Sequence, residues 1–372
     1  MRRQLRILFH LLLMVTTFFT TTWAGSEWVT GKNVWMENYS MADFYVGMHF
    51  SIPFLLILTF HEFGHYLTAR LNHVPSSLPY YIPLPPFPLS IGTLGAIIRL
   101  RSRHITIREH FDIGIAGPLA GFVIALIILI YGFLTLPPPE YIFQIHPEYE
   151  KYGLGYADYV YENQEGIIDI FIGKNLLFLL LEHLLADPAR MPNPHEIMHY
   201  PYLFAGFLAL VFTSLNLLPV GQLDGGHVLY GLFGYRIHRV VASGVFMAFM
   251  FYAGLGFVHP ALPAGELWWY VAGYGFFLYL SFTGLGLPPR ETLMYTLLIF
   301  ALQLGLTWLI PGIKGYHGWL LFGFILGRLI GITHPKAAWE EPLTPTRKIL
   351  GWIALVIFVL TFTPNPIEIS TP

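Results

Sequence analysis

Apolar runs of about twenty residues, each long enough to carry a helix across a bilayer core, recur from one end of this chain to the other. They leave little room for any fold but a bundle of membrane-crossing helices, because a backbone in lipid has to satisfy its own hydrogen bonds. Composition agrees. Only 11% of the 372 residues are charged, against about a quarter in soluble domains, and 55% are hydrophobic. The expected fold is an all-α polytopic membrane protein with about nine transmembrane helices, near residues 5–24, 47–71, 112–136, 201–219, 239–258, 267–286, 292–310, 317–333 and 348–363. The first run resembles a signal peptide, with Arg2, Arg3 and Arg6 ahead of it and Thr22-Trp23-Ala24 at its end. It is longer than a usual signal core, and Trp23 suits a membrane face, so it reads as an uncleaved span.

Basic residues set the orientation. Arg2, Arg3 and Arg6, then Arg99, Arg101, Arg103 and Arg108, then Arg236 and Arg239, then Lys336, Arg347 and Lys348 fall in alternate loops, which should be cytoplasmic. The stretch 137–173 is acidic, with Glu140, Glu148, Glu150, Asp158, Glu162, Glu165 and Asp169 against Lys151, and belongs on the opposite face. The expected location is therefore a prokaryotic cytoplasmic membrane, with the lipid bilayer as a partner and the N-terminus cytoplasmic. Two segments do not read as spans. Leu78 to Leu100 is proline-studded and ends in a β-branched run, Ile91 to Ile98, which predicts a short re-entrant β segment. Lys174 to Leu185 is apolar for only a dozen residues and holds Glu182 and His183, which predicts an interfacial helix.

A net charge of -2 with no long basic tract gives nucleic acid no electrostatic foothold. With no cysteine, any metal site has to use His and carboxylates. His61-Glu62-Phe63-Gly64-His65 ends the second apolar run. On a helix, two His four residues apart project from one face and ligate one metal, while Glu62 stands beside that face as a base for water. With 16 His among 372 residues, chance placement yields such a match roughly 0.03 times. The bland reading, two bundle-facing His bonded to other helices with Glu62 near a headgroup, leaves an intramembrane carboxylate costing about 2.5 to 3.5 kcal/mol without a cation.

A hydrolytic zinc needs a third protein ligand. The chain has six Asp, and Asp43, Asp158, Asp169 and Asp187 fall in loops assigned to the far face or its interface. Asp112 precedes a small-residue stretch, Gly114 to Gly121, where it reads as a helix cap. Asp224 lies in Asn216-Leu217-Leu218-Pro219-Val220-Gly221-Gln222-Leu223-Asp224-Gly225-Gly226-His227, where Pro and Gly break an apolar helix as they do around a cavity. Asp224 is preferred as third ligand, with His227 as the alternative. Asn216 either satisfies freed backbone groups or orients a substrate carbonyl.

HEFGH at 61–65 and the Asn-x-x-Pro-x-x-x-Leu-Asp-Gly element at 216–225 together resemble the site-2 protease family of intramembrane zinc metalloproteases, and Gly114 to Gly121 is similar to that family's third core helix. The resemblance covers roughly residues 47–235. It implies zinc held by His61, His65 and Asp224, Glu62 activating water, Asn216 near the bound peptide, and hydrolysis of peptide bonds within transmembrane protein substrates, releasing a cytoplasmic fragment. Many members carry a PDZ domain where residues 137–200 stand here, and those residues do not read as one. The chain then divides into a first span and external loop (1–46), a catalytic core (47–235), and further helices without an assigned role (236–372). A multi-pass transporter or channel passing metal or protons through intramembrane His, Glu and Asp is the competing class.

Overall fold

Each of the nine apolar runs overlaps helical backbone, though several run past the helix ends, in the computed structural model, which describes residues 2–102, 106–161, 169–337 and 339–370. Arg103, Glu162 and Glu165, used above in assigning faces, lie outside the described residues. In chain order come α1 (Arg2–Thr30), α2 (Met41–Leu71), β1 (Tyr80–Pro83), β2 (Thr93–Ile97), α3 (Ile107–Leu134), the short α4 (Ile142–Ile145) and α5 (Tyr156–Val160), and β3 (Asp169–Ile172). Then follow α6 (Leu176–Leu185), α7 (Pro201–Asn216), α8 (Asp224–Ala253), α9 (Ala264–Phe282), α10 (Pro289–Leu309), α11 (Gly318–Ile325), α12 (Pro345–Thr361) and β4 (Ile367–Ser370). Among the described residues, Gln4–Thr30, Met41–Leu71, Ile107–Leu134 and Pro289–Leu309 are long and apolar enough to cross a membrane. The protein is thus predominantly helical, with four such helices. The chain forms two compact units.

The first unit comprises residues 1–103, 116–215 and 356–372. Here α2 starts cleanly because Ser40 and Asp43 form a reciprocal cap: the Ser40 amide donates to Asp43 Oδ2 at 2.9 Å and the Asp43 amide to Ser40 Oγ at 3.4 Å. The segment expected to be β-like is a two-stranded antiparallel hairpin, with Tyr81 opposite Ala96 and Tyr80 opposite Ile97. It runs along α1. His10 Nδ1 lies 3.0 Å from the Pro79 carbonyl, Thr20 donates to the Gly92 carbonyl at 2.7 Å, and the Trp28 indole donates to the Ser90 carbonyl at 2.8 Å. Gly92 takes φ +75°, and a Cβ there would meet the Thr20 carbonyl at 2.3 Å, so the hairpin tip approaches α1 as only glycine permits. A second strand pair joins β3 to β4, Asp169 opposite Ser370 and Ile172 opposite Ile367. The run at 174–185 is the ten-residue helix α6, capped by Asn175, with Glu182 paired to Lys174 at 2.8 Å.

The second unit comprises residues 104–115 and 216–355. The break after α7 is a tight loop: Gly221, at φ +61°, donates its amide to the Ile332 carbonyl at 2.9 Å. The next span is not 239–258 but part of α8, which starts at Asp224 and is interrupted at Gly234 (φ 76°, ψ 173°). Arg236 and Arg239 therefore sit on helix just beyond this break rather than in a loop. Local apolar patterning marks the span, but the glycine that lets one helix turn and resume carries no hydrophobic signal.

Candidate metal centre

The His61-Glu62-Phe63-Gly64-His65 motif lies near the end of α2 in the first unit. Helical spacing puts His61 and His65 on one face, ring centroids 4.7 Å apart and their Nε2 atoms 3.0 Å apart. Glu62 Oε1 is 3.9 Å from His61 Nε2, and all three side chains are buried. Two nitrogens bonded to one tetrahedral zinc at about 2.0 to 2.1 Å stand roughly 3.3 Å apart, so this pair fits a zinc ion closely.

What presses the pair into that geometry is the glycine pattern of α3. A Cβ on Gly117 would sit 2.1 Å from His65 Nε2, and one on Gly121 would be 3.1 Å from His61 Cβ. Reciprocally, a Cβ on Gly64 would stand 2.5 Å from the Ala116 carbonyl oxygen. The small residues of the Gly114 to Gly121 stretch thus bring α3 backbone against the imidazoles, as close helix packing in membranes requires. The hairpin is fastened beside the motif: the hydroxyls of Thr59 on α2 and Tyr81 on β1 are 2.7 Å apart. Beyond β1, no strand among the described residues pairs with β2, whose Leu94 and Ile97 are exposed.

In the second unit, Asn216 is the last residue of α7 and Asp224 the first of α8, seven loop residues apart. Asp224 stands where the unpaired amides of a helix start favour negative charge. The glycines after it are required by packing: a Cβ on Gly225 would lie 1.9 Å from the Leu217 carbonyl oxygen, and one on Gly226 2.2 Å from that of Gly221.

Two expectations change. Asp112 is not a cap, since α3 begins at Ile107 with Thr106 and Glu109 forming the cap. Instead Arg347 grips both its oxygens, Nε to Oδ1 at 2.7 Å and Nη2 to Oδ2 at 2.8 Å, a bidentate pair that already gives this carboxylate a cation. His227, the alternative ligand, has Nδ1 2.8 Å from His334 Nε2 and its ring stacked on His110, 5.0 Å between centroids. Sequence reading missed Arg347, His334 and His110 as partners because each is remote in the chain; nothing local signals them. Asn216 and Asp224 flank one loop, whereas His61, Glu62 and His65 lie on one helix.

Known proteins carry the same elements. Residues 49–258, more than half of the chain, match the profile described as peptidase family M50. A protein of Oryza sativa subsp. japonica named probable zinc metalloprotease EGY1, chloroplastic, is 34% identical over 180 residues, 48% of this chain and 27% of the relative. Its Arabidopsis thaliana namesake is 31% identical over 179 residues, 48% and 28% of the two chains. The probable zinc metalloprotease EGY2 of Oryza sativa subsp. indica, also chloroplastic, is 27% identical over 199 residues, 53% and 31%. The matched region thus spans less than a third of each relative's length. The names of these relatives are chloroplastic and lend no support to a prokaryotic cytoplasmic membrane. No solved structure matches significantly.

Proposed function

The chain belongs to peptidase family M50, and on that premise we propose that it is an intramembrane zinc metalloprotease that hydrolyses peptide bonds in or near transmembrane segments of other membrane proteins. One observation carries the reading: a buried His61–Glu62–His65 set on a helix long and apolar enough to cross a membrane. His61, His65 and Asp224 would hold the zinc. A zinc held there would supply Lewis acidity, polarising a carbonyl and lowering the pKa of water so that it can be deprotonated near neutral pH. Glu62 takes the proton from the attacking water and returns it to the leaving amine. Asp224 as third ligand is supported by elimination, since Arg347 occupies Asp112 and His227 faces His334. Asn216, the last residue of α7, would orient the peptide.

A helical substrate hides its backbone, so it has to unwind before cleavage. The free edge of β2 offers it a strand to pair with. The contacts of the hairpin segment with α1 run from His10 to Trp28, about 27 Å of helix at 1.5 Å per residue, which supports a re-entrant depth for it. The nine-span topology is supported by β3 pairing with β4: both lie on one face only if an even number of crossings separates them, and α7 to α12 supply six. With the basic loops inside, the motif at the end of α2 lies toward the cytoplasm and the product fragment is released there.

The test is cleavage of a membrane-spanning reporter by the full chain in lipid, together with zinc content. Glu62→Gln is expected to keep zinc and lose cleavage, while His65→Ala and Asp224→Ala lose both. Retained cleavage in Glu62→Gln would overturn the mechanism, and metal-dependent solute flux without proteolysis would favour a transporter.

A further inference from the structure

We infer that the segment between α3 and α7 carries a second metal site, in which His146, Glu196 and His199 bind a divalent transition ion of the zinc class. The residues belong to the first unit and share no atom with the HEFGH motif. His146 follows α4, while Glu196 and His199 flank the single helical turn Ile197–His199 that leads into α7. His146 Nε2 and His199 Nε2 are 3.2 Å apart, His199 Nε2 is 3.3 Å from Glu196 Oε2, and His146 Nε2 is 3.9 Å from the same oxygen. These are close to the edges, about 3.3 Å, of a tetrahedron whose centre binds N and O at roughly 2.0 to 2.2 Å.

The outer contacts fix which ring nitrogens face inward. His199 Nδ1 is 2.9 Å from the Val29 carbonyl, which only accepts, so Nδ1 carries the proton and Nε2 keeps its lone pair. His146 Nδ1 is 3.1 Å from the Glu148 carboxylate, with the same consequence. The two Nε2 atoms then face each other across 3.2 Å beside a carboxylate that is 1% exposed, an arrangement that a bound cation between them would satisfy. Tyr161 donates its hydroxyl to Glu196 Oε1, and the His146 ring stacks on Tyr149 at 4.5 Å. Each inner ligand thus has the outer partner that metal sites use to aim their ligands. Two imidazoles with one carboxylate select zinc-like ions over calcium or magnesium. The His146 side chain is 27% exposed, so this ligand stands toward the surface side of the cluster. An ion there would tie the chain after α4 to the turn before α7, and through Val29 to the end of α1.

The full chain in lipid nanodiscs, stripped with chelator and reloaded with Zn²⁺ or Co²⁺, tests this. Metal per chain and Co²⁺ absorption are compared for the parent, His146→Ala and Glu148→Ala, each also in a His65→Ala background that removes the proposed catalytic ion. We expect His146→Ala to bind one ion fewer in both backgrounds, and Glu148→Ala to retain the ion at about tenfold weaker affinity. Equal metal content in the parent and His146→Ala would overturn the site, as would an unchanged affinity in Glu148→Ala should His146→Ala not fold. A His65→Ala background that loses no ion would count against the catalytic centre alone.

Discussion

Two pairs of histidines in this protein bring Nε2 atoms to almost the same separation by opposite routes. His61 and His65, 3.0 Å apart, are four residues apart on one helix, and the helix itself puts them on one face. His146 and His199, 3.2 Å apart, are fifty-three residues apart and meet only because Val29, Glu148 and Tyr149 hold their rings. The first pair is inexpensive to build locally but has to be compressed from outside, by the bare backbone of Gly117 and Gly121. The second needs a carbonyl or carboxylate behind each ring. A metal centre on a helix therefore depends on what its neighbour lacks, whereas one assembled from loops depends on what its neighbours donate.

Substitutions separate the two designs. The largest effect is expected for Glu62→Gln, a loss of reporter cleavage of about 10² to 10⁴-fold with zinc content unchanged, because a general base contributes that much and the glutamine amide is too weakly basic to take a proton from water. Next is Gly117→Ala: a methyl placed 2.1 Å from His65 Nε2 has to displace the ring, so zinc bound at the catalytic centre should fall below stoichiometric, while the ion at His146 stays. Overpacking of this kind costs about 1 to 3 kcal/mol, which a thermal melt would register alongside metal analysis. Asp112→Asn should leave zinc in place and lower the melting temperature by weakening the grip of Arg347, in contrast to Asp224→Ala; zinc loss in Asp112→Asn would reverse the assignment of the third ligand. The smallest effect is expected for Tyr161→Phe, which removes one outer hydrogen bond to Glu196 and should weaken Co²⁺ binding at the His146 centre by roughly tenfold, read by titration.

The motif, its helix, the strand pair at 80–97 and the broken helix before Asp224 were all legible in the residues, since each is a local pattern of apolar spacing, glycine and proline. Asp112 shows where local pattern misleads. A carboxylate ahead of a small-residue helix reads as a cap, but α3 starts five residues earlier and the partner is Arg347, far along the chain. His227 is similar: three residues from Asp224 it looks like a rival ligand, and only His334 and His110 show that its ring belongs elsewhere. Glu196 and His199 did carry a signal, a Glu-x-x-His spacing, but it gains meaning only once His146 stands opposite.

By itself the sequence determined that this chain is a helical membrane protein and that His61 and His65 share one helix face with Glu62 beside it, because hydrophobic length and helical periodicity act between near neighbours. Tertiary structure alone decided which backbone presses on those rings, which cation takes Asp112, and which histidines from distant segments face one another. Those outcomes depend on packing between residues remote in the chain, where the direction of a side chain is set by its neighbours in space.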